Sequence, residues 1–424
     1  MAPHLDGSCV AMRAEPRLYR PFALLAFGAT VLVGTPLGVW LLAVLHLGAP
    51  ALPADWVLFH AGVQVFGFFG VLIVGVAHHL LPRFTGRPVA GSALTPWLAT
   101  LLAAGLALRA AAVVSGAAAL SAAGALVHGA AFALFAGWVW RALDPPPLAR
   151  LRRHLTASSV WLAAACVLEV TVRTVALVSD RPVPDLGGMR AVHSIALLGG
   201  VIGWVTGVLL RAGPMFVANW RVPGTVAALV PWGPGLAVAL SAAALLAGPV
   251  GAVALARLAD VAALGTVAAV VISAGAFRRP GRALPMLSRS RQEARIFRLG
   301  VISAVVAALG AAGLALGAAA VLPQHVLADA VRHLVTVGFL TSVVVAMTFR
   351  LIPVLEGVAL PWPGLRHVAF AALLASVLLR TAQGPVVYGW SGLRLAVVLS
   401  GPLAWMALVA VAANLVAAMA PRRA

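Results

Sequence analysis

Charge is scarce in this chain, and negative charge is the scarcest of all. Aspartate and glutamate together number 11 in 424 residues, lysine is absent, and charged residues make up only 10% of the composition. Because soluble domains carry about 25% charged residues, this scarcity excludes an ordinary water-soluble fold. Cysteine is nearly absent too. Cys9 lies in the N-terminal tail and Cys166 lies within an apolar run, so no disulfide framework is expected.

Apolar residues dominate what remains. Hydrophobic residues make up 62% of the chain, and the mean hydropathy is +1.03. The apolar runs are about 20 residues long, which is typical of membrane-spanning helices and excludes the ten-residue alternation of a β-barrel. The sequence therefore predicts an all-α integral membrane protein whose first partner is the lipid bilayer. The net charge of +19 comes from arginines scattered between the apolar runs, so no nucleic-acid partner is expected.

The apolar runs predict about twelve transmembrane helices in a single polytopic domain, residues 1–424. Clusters of proline, glycine and arginine separate the runs. The first run is too long for the core of a signal peptide, so we expect it to be retained. The predicted spans are 22–46, 56–82, 94–115, 119–141, 155–178, 188–212, 226–247, 250–276, 296–320, 329–352, 367–384 and 395–419.

One pattern occurs in three of these spans, the second, the sixth and the tenth, which we call the motif helices. A histidine near the start is followed by a glycine; a proline stands fifteen positions after the glycine, with a basic residue three before it. Motifs on every fourth span predict three quasi-repeats of four helices, approximately 1–145, 146–285 and 286–424, joined by loops 142–154 and 278–295. The motif residues are His60, Gly67, His79 and Pro82; His193, Gly199, Arg211 and Pro214; His333, Gly338, Arg350 and Pro353.

The distribution of arginine predicts the orientation of the chain. With the N-terminus inside, 22 of the 30 arginines fall on the inner side. This excess indicates that both termini are cytoplasmic. The motif histidines then lie toward the outer face. The other eight arginines are Arg109, Arg173, Arg181, Arg190, Arg257, Arg332, Arg380 and Arg394.

The repeated histidines predict a cofactor held between helices. Histidine is the commonest transition-metal ligand and an axial ligand of haem iron, and an ionisable group inside a membrane indicates function. We therefore predict His60, His333 and His193 as iron or copper ligands; the alternative is that each one hydrogen-bonds water or a carbonyl. Gln64 and Gly67 share a face with His60. Gly67 either clears room for a flat macrocycle or serves ordinary close helix packing.

Arginines near two of the histidines are candidates for binding the carboxylates of a haem. Arg332 precedes His333, and Arg190 stands three positions before His193. Arginine pairs with carboxylates through two hydrogen bonds; the alternative for each arginine is snorkelling to lipid headgroups. Asp329 is expected to cap the tenth span.

The other ionisable residues carry weaker expectations. Glu169 and Arg173 lie one turn apart and are predicted to neutralise one another. His128 is either a ligand or a hydrogen-bonded core residue, and His46 is either a further ligand or an interfacial residue. The histidines expected to flank the inner face are His78, His79, His154 and His367.

Three segments resemble the NnrS family. HAGVQVFGFFGVLIVGVAHHLLPRFTGR, which begins at His60, resembles the second helix of NnrS proteins and of relatives of haem-copper oxidase subunit I. RPFALLAFG, from Arg20, resembles the first NnrS helix, and RHLVTVGFLTSVVVAMTFRLIPVLEG, from Arg332, resembles the tenth. On this resemblance the chain is identified as a member of the NnrS family, within or near the oxidase subunit I superfamily.

The resemblance implies an oxidase-like fold with haem and copper ligands on the second, sixth, seventh and tenth helices. It matches His60 and His333 to haem ligands and His193 to a copper ligand. It also implies an inner-membrane protein that binds haem, with copper as a further candidate cofactor. The implied role is tolerance of nitric oxide or of denitrification stress, with nitric oxide as a small gas ligand and a redox partner that the residues do not identify.

The chain departs from this resemblance where an oxygen-reducing centre would need its ligands. Residues 226–247 hold no histidine, whereas oxidases carry a pair on the seventh helix. Val331 stands where a second histidine would precede the tenth-helix ligand, and Gly62 replaces the nearer histidine of the second NnrS helix. Two alternatives stay open. One is a cofactor-free transporter or channel with gating histidines; the other is a nitric oxide or oxygen reductase subunit, a haem-dependent oxidoreductase.

Overall fold

A computed structural model describes residues 17–86, 93–144, 146–181, 183–217, 219–278, 291–317 and 324–420. Within these ranges the regular structure is entirely helical. Twelve helices in this part of the chain are long and apolar enough to cross a membrane, which confirms the predicted fold class: this is a multi-pass membrane protein. They are α1 (Arg20–Leu47), α2 (Ala54–Thr85), α3 (Leu94–Ser115), α4 (Ala118–Ala142), α5 (Ala149–Val178), α6 (Leu186–Met215), α7 (Gly224–Ala243), α8 (Pro249–Ser273), α9 (Arg291–Ala315), α10 (Leu327–Glu356), α11 (Leu365–Val386) and α12 (Ser391–Met419).

The predicted boundaries are least accurate where a helix continues beyond its apolar stretch. The fifth helix begins at Ala149 rather than 155, because its first turns carry arginines that the hydropathy pattern assigned to a loop. The ninth helix covers Arg291–Ala315 rather than 296–320. It ends early because Gly317 adopts a φ of 80°, and a left-handed glycine is a common helix terminator.

The three motif helices form the centre of the bundle. In α2, α6 and α10 the most apolar stretch is 67%, 78% and 67% buried, against 28–44% in the other nine spans that the structure describes. All three begin at the same end of the bundle, which we call the histidine end. The first and last spans are also neighbours, since α12 packs on both α11 and α1.

Each motif helix contains a π-helical segment in the same place. The segments are Val63–Gly70 in α2, Ile195–Val201 in α6 and Leu334–Thr341 in α10. Each begins four residues before the glycine of its motif. A π-helical turn disrupts the regular hydrogen bonding of an α-helix, and such turns occur frequently at functional sites. The shared position supports the view that the three helices are equivalent; the division into three four-helix repeats stays a prediction.

An ionic clamp joins α1 and α10 at the end opposite the histidines. Glu356, the last residue of α10, is buried and accepts hydrogen bonds from Tyr19 and from Arg20 Nε at 2.9 Å. Arg17 Nη1 lies 3.1 Å from the same carboxylate. Burial and the hydrogen bond to Glu356 raise the pKa of Tyr19, so its hydroxyl keeps the donated proton.

Part of the predicted organisation falls beyond the residues that the structure describes. Cys9 lies in the undescribed segment 1–16, and most of the predicted junction loop lies in 279–290. The other junction, 142–154, is shorter than predicted because α5 already begins at Ala149.

Candidate cofactor site

A cavity of about 510 Å³ opens between the motif helices at the histidine end. Its walls come from α1, α2, α6, α10, α11 and α12, with Asp260 contributed by α8. Cofactor and ligand sites in proteins are typically clefts of about 300–1,000 Å³ lined by apolar groups with a few convergent polar ones. The structure brings six of the seven predicted site residues to this cavity: His60, His193, His333, Arg190, Arg332 and Gln64.

The imidazole of His60 is held in one orientation by α1. Its Nδ1 lies 2.8 Å from the carbonyl oxygen of Gly34, and because a carbonyl only accepts, Nδ1 carries the proton. The ring also lies against Gly38, where an added Cβ would approach His60 Cε1 to 2.6 Å. Nε2 is left as an acceptor, with no hydrogen bond to any residue that the structure describes, and His60 lines the cavity.

His333 is held in a comparable way, by Asp329 one turn earlier on α10. Its Nδ1 lies 2.8 Å from the carbonyl oxygen of Asp329 and 3.2 Å from the carboxylate Oδ1. The guanidinium of Arg380, on α11, is 2.5 Å from Asp329 Oδ2 and 3.1 Å from His333 Nδ1. The expectation that Asp329 caps the tenth span is wrong, because Asp329 already lies inside the helix and its carboxylate is engaged in side-chain contacts.

The third motif histidine shares the cavity without such support. His193 is half-buried, and neither of its ring nitrogens hydrogen-bonds a residue within the described ranges. Arg190 and Arg332 are exposed residues of the same cavity, near its rim. Asp260 lines the cavity from α8. Positive charge is therefore available at the histidine end for an anionic group of a bound molecule.

The remaining two predicted residues of α2 have different surroundings. Gln64 lines the cavity and is oriented by α1, since Thr30 donates to its Oε1 at 2.9 Å and its Nε2 donates to Thr35 Oγ1 at 3.2 Å. Gly67 does not line the cavity. A Cβ there would approach Leu106 Cδ2 to 2.8 Å, so close helix packing, the alternative considered for this glycine, describes its surroundings.

A second group of charges lies buried beside the cavity. Glu169 of α5 pairs with Arg173, as predicted, through a contact of 2.8 Å to Arg173 Nε. It also accepts two hydrogen bonds from Arg109 of α3, at 2.6 and 2.7 Å. The Arg109 guanidinium in turn lies 5.2 Å from the ring centre of Phe66 on α2. Side chains of α3 and α5 thus neutralise one another against a motif helix.

Other histidines serve helix packing. His128 is fully buried, and its Nε2 lies 3.0 Å from the carbonyl oxygen of Leu102, so the structure favours the core alternative. His78 and His154 do not flank a surface, contrary to expectation. His78 stacks on Trp138 with ring centres 4.4 Å apart, and His154 Nε2 lies 2.8 Å from the carbonyl oxygen of Gly203.

His46, His79 and His367 complete the histidines whose surroundings are described. His46 and His79 each have a buried Nε2 without a hydrogen-bond partner among the described residues, and neither lines the cavity. His367 is exposed at the opposite end of the bundle, as expected.

Comparison of the sequence with known protein families gives a match. The family described as NnrS protein matches residues 18–422. The chain belongs to the NnrS family. No curated protein matches it.

In this NnrS protein, sequence reasoning missed three residues that shape the site: Gly38, Asp329 as a partner of His333, and Arg380. The spacing of four residues between Asp329 and His333 is a signal that could have identified that pair. Arg380 follows His333 by 47 residues on another helix, and Gly38 precedes His60 on another helix, so neither contact has a local signature.

Proposed function

We propose that this chain is a haem-binding membrane protein that acts in tolerance of nitric oxide. The observation that carries the proposal is the pair His60 and His333. In each, Nδ1 lies 2.8 Å from a backbone carbonyl oxygen, and both residues line one shared cavity. This is the arrangement that orients a histidine as a metal ligand. The link to nitric oxide rests on membership of the NnrS family.

The shape of the site favours a large ligand over a single ion. Among the described residues, no three histidine, cysteine, aspartate or glutamate side chains converge closely enough to hold one metal ion. The motif histidines instead approach a cavity of about 510 Å³ from three helices. A flat macrocycle that carries its own iron suits such walls, because it needs only one or two axial nitrogens from the protein.

Different residues of the cavity would have different roles in binding the haem. His60 and His333 would supply nitrogen ligands to the iron, and Arg190 and Arg332 would pair with the propionate carboxylates. Apolar side chains such as Phe68, Phe69 and Leu408 would exclude water. Haem supplies an iron that binds small gases and exchanges electrons.

A reduced-minus-oxidised absorption spectrum, with iron and copper analysis, tests the proposal on protein purified from cells supplied with ample haem. We expect a haem band in the wild type and its loss in His60→Ala or His333→Ala. His367→Ala is the matched control, because His367 is exposed and distant from the cavity; it should keep the band. The copper content decides whether copper accompanies the haem.

Two results would contradict the proposal. If folded, monodisperse wild-type protein carries no haem, the cofactor-free transporter becomes the better explanation. If the wild type binds haem and both alanine variants retain it with unchanged spectra, the two histidines are not the ligands.

A further inference from the structure

The carboxylate of Asp329 lies between the side chains of His333 and Arg380. His333 Nδ1 lies 3.2 Å from Oδ1, and Arg380 Nη2 lies 2.5 Å from Oδ2. Gln383 Nε2 also donates to Oδ2, at 3.0 Å. The carboxylate is therefore held from α11 and turned toward the histidine of its own helix.

Asp329 and Arg380 compete for the same imidazole nitrogen. Arg380 Nη2 is only 3.1 Å from His333 Nδ1, and a guanidinium can only donate. If Nδ1 accepted that hydrogen bond, the ring proton would move to Nε2, and His333 would lose the lone pair that faces the cavity. The Asp329 carboxylate and carbonyl oxygens favour the opposite tautomer, with the proton on Nδ1.

We propose that Asp329 is the positioning residue of His333, and that Arg380 moderates the charge it places there. This inference rests on the proposed haem function. Asp329 keeps the proton on Nδ1, which leaves Nε2 free to bind iron, and its negative charge strengthens electron donation from the imidazole to that iron. Stronger donation favours ferric over ferrous iron, so it lowers the midpoint potential. Arg380 withdraws part of that charge and opposes the effect.

The potential of the haem-loaded protein tests both roles, because the two substitutions should act in opposite directions. Asp329→Asn removes the charge and should raise the midpoint potential; Arg380→Gln leaves the carboxylate without its cation and should lower it. Asp260→Asn is the matched control. Asp260 lines the same cavity, and no described hydrogen bond or ion pair joins it to His333, so Asp260→Asn measures the effect of losing a nearby negative charge. The rise in Asp329→Asn should clearly exceed the rise in Asp260→Asn.

A second measurement, NMR spectroscopy of the protein without haem, determines the tautomer of His333. In apoprotein labelled with 15N-histidine, the His333 signals, identified by their loss in His333→Ala, should show a protonated Nδ1. In Asp329→Ala we expect the proton on Nε2, because Arg380 can then donate to Nδ1. The double variant Asp329→Ala/Arg380→Gln should restore the Nδ1 proton, since the carbonyl of residue 329 remains at 2.8 Å.

The outcomes separate this inference from the function on which it rests. Wild-type protein without haem removes the proposed function, but the tautomer measurement still tests the positioning role. Haem-loaded Asp329→Asn with a potential no higher than that of Asp260→Asn would overturn the inference, as would an unchanged tautomer in Asp329→Ala. Arg380→Lys keeps the cation if Arg380→Gln does not fold, and its potential should stay close to the wild-type value.

Discussion

Glu169, which lies outside the cavity, carries a negative charge buried inside the bundle. Its carboxylate is fully buried and receives hydrogen bonds from Arg109 and Arg173, which are themselves buried. Taking charges out of water costs several kcal/mol for each ion, and the cost is offset only when every charge stays paired. Removing Glu169 would leave Arg109 without an acidic partner among the described residues, and it would leave Arg173 only the longer contact of 3.9 Å to Asp55.

We therefore expect Glu169→Gln to destabilise the protein by about 3–5 kcal/mol, the usual result of breaking a buried ion pair. The control is Asp144→Asn. Its pair with Arg152 has a similar distance of 2.7 Å, but the Asp144 side chain is 83% exposed, so the loss should be at most about 1 kcal/mol. Unfolding of both variants in detergent, followed by circular dichroism, measures the difference. Equal stability of the two variants would show that the buried network is not needed.

The same network shows what single residues reveal in a sequence. Arg173 follows Glu169 by one helical turn, so their pairing could be predicted from local geometry. Arg109 precedes Glu169 by 60 residues on another helix, and an arginine in an apolar run gives no indication of which acid it will meet. The three motif histidines escaped this limit only because a repeated spacing, unlike a single contact, can be read along the chain.

Close contact between α1 and α2 fixes the orientation of the candidate ligand His60. The π-helical segment Thr30–Gly34 in α1 ends at the glycine whose carbonyl accepts from His60. One turn later, Gly38 lets the imidazole lie directly against the backbone of α1. The helix pair was predictable from hydropathy. The π-helical segments were not, because hydropathy does not distinguish a π-helical turn from an α-helical one.

Gly38→Ala should therefore displace the His60 ring and weaken haem binding without unfolding the protein. An added Cβ would lie 2.6 Å from His60 Cε1, which is too close for any ordinary contact, so the ring must move. Gly28→Ala on the same helix is the control, since a Cβ there meets no atom within 4 Å. Haem retention after gel filtration compares the two variants. Full retention in Gly38→Ala would mean that the contact does not set the position of the ligand.

At the scale of the whole molecule, the structure shows how the arginines are used at each end of the bundle. Their unequal distribution is the basis of the predicted orientation. Eight arginines fall at the histidine end or in its half of the spans. Three of them, Arg109, Arg173 and Arg380, are buried in ion pairs, and two more, Arg190 and Arg332, line the cavity. Five of the eight are therefore engaged in ion pairs or at the cavity rather than at lipid headgroups, whereas the opposite end carries most of the arginines in the described ranges.

This distribution predicts that the histidine end faces away from the cytoplasm, because flanking arginines are retained on the cytoplasmic side. Single cysteines in a variant with Cys9 and Cys166 replaced by serine can test it with a membrane-impermeant maleimide on bacterial spheroplasts. Ala117→Cys, between α3 and α4 at the histidine end, should react in intact spheroplasts. Asp144→Cys, between α4 and α5 at the opposite end, should react only after lysis. The reverse pattern would place the cavity on the cytoplasmic side, where a haem or gas ligand would have to enter from within the cell.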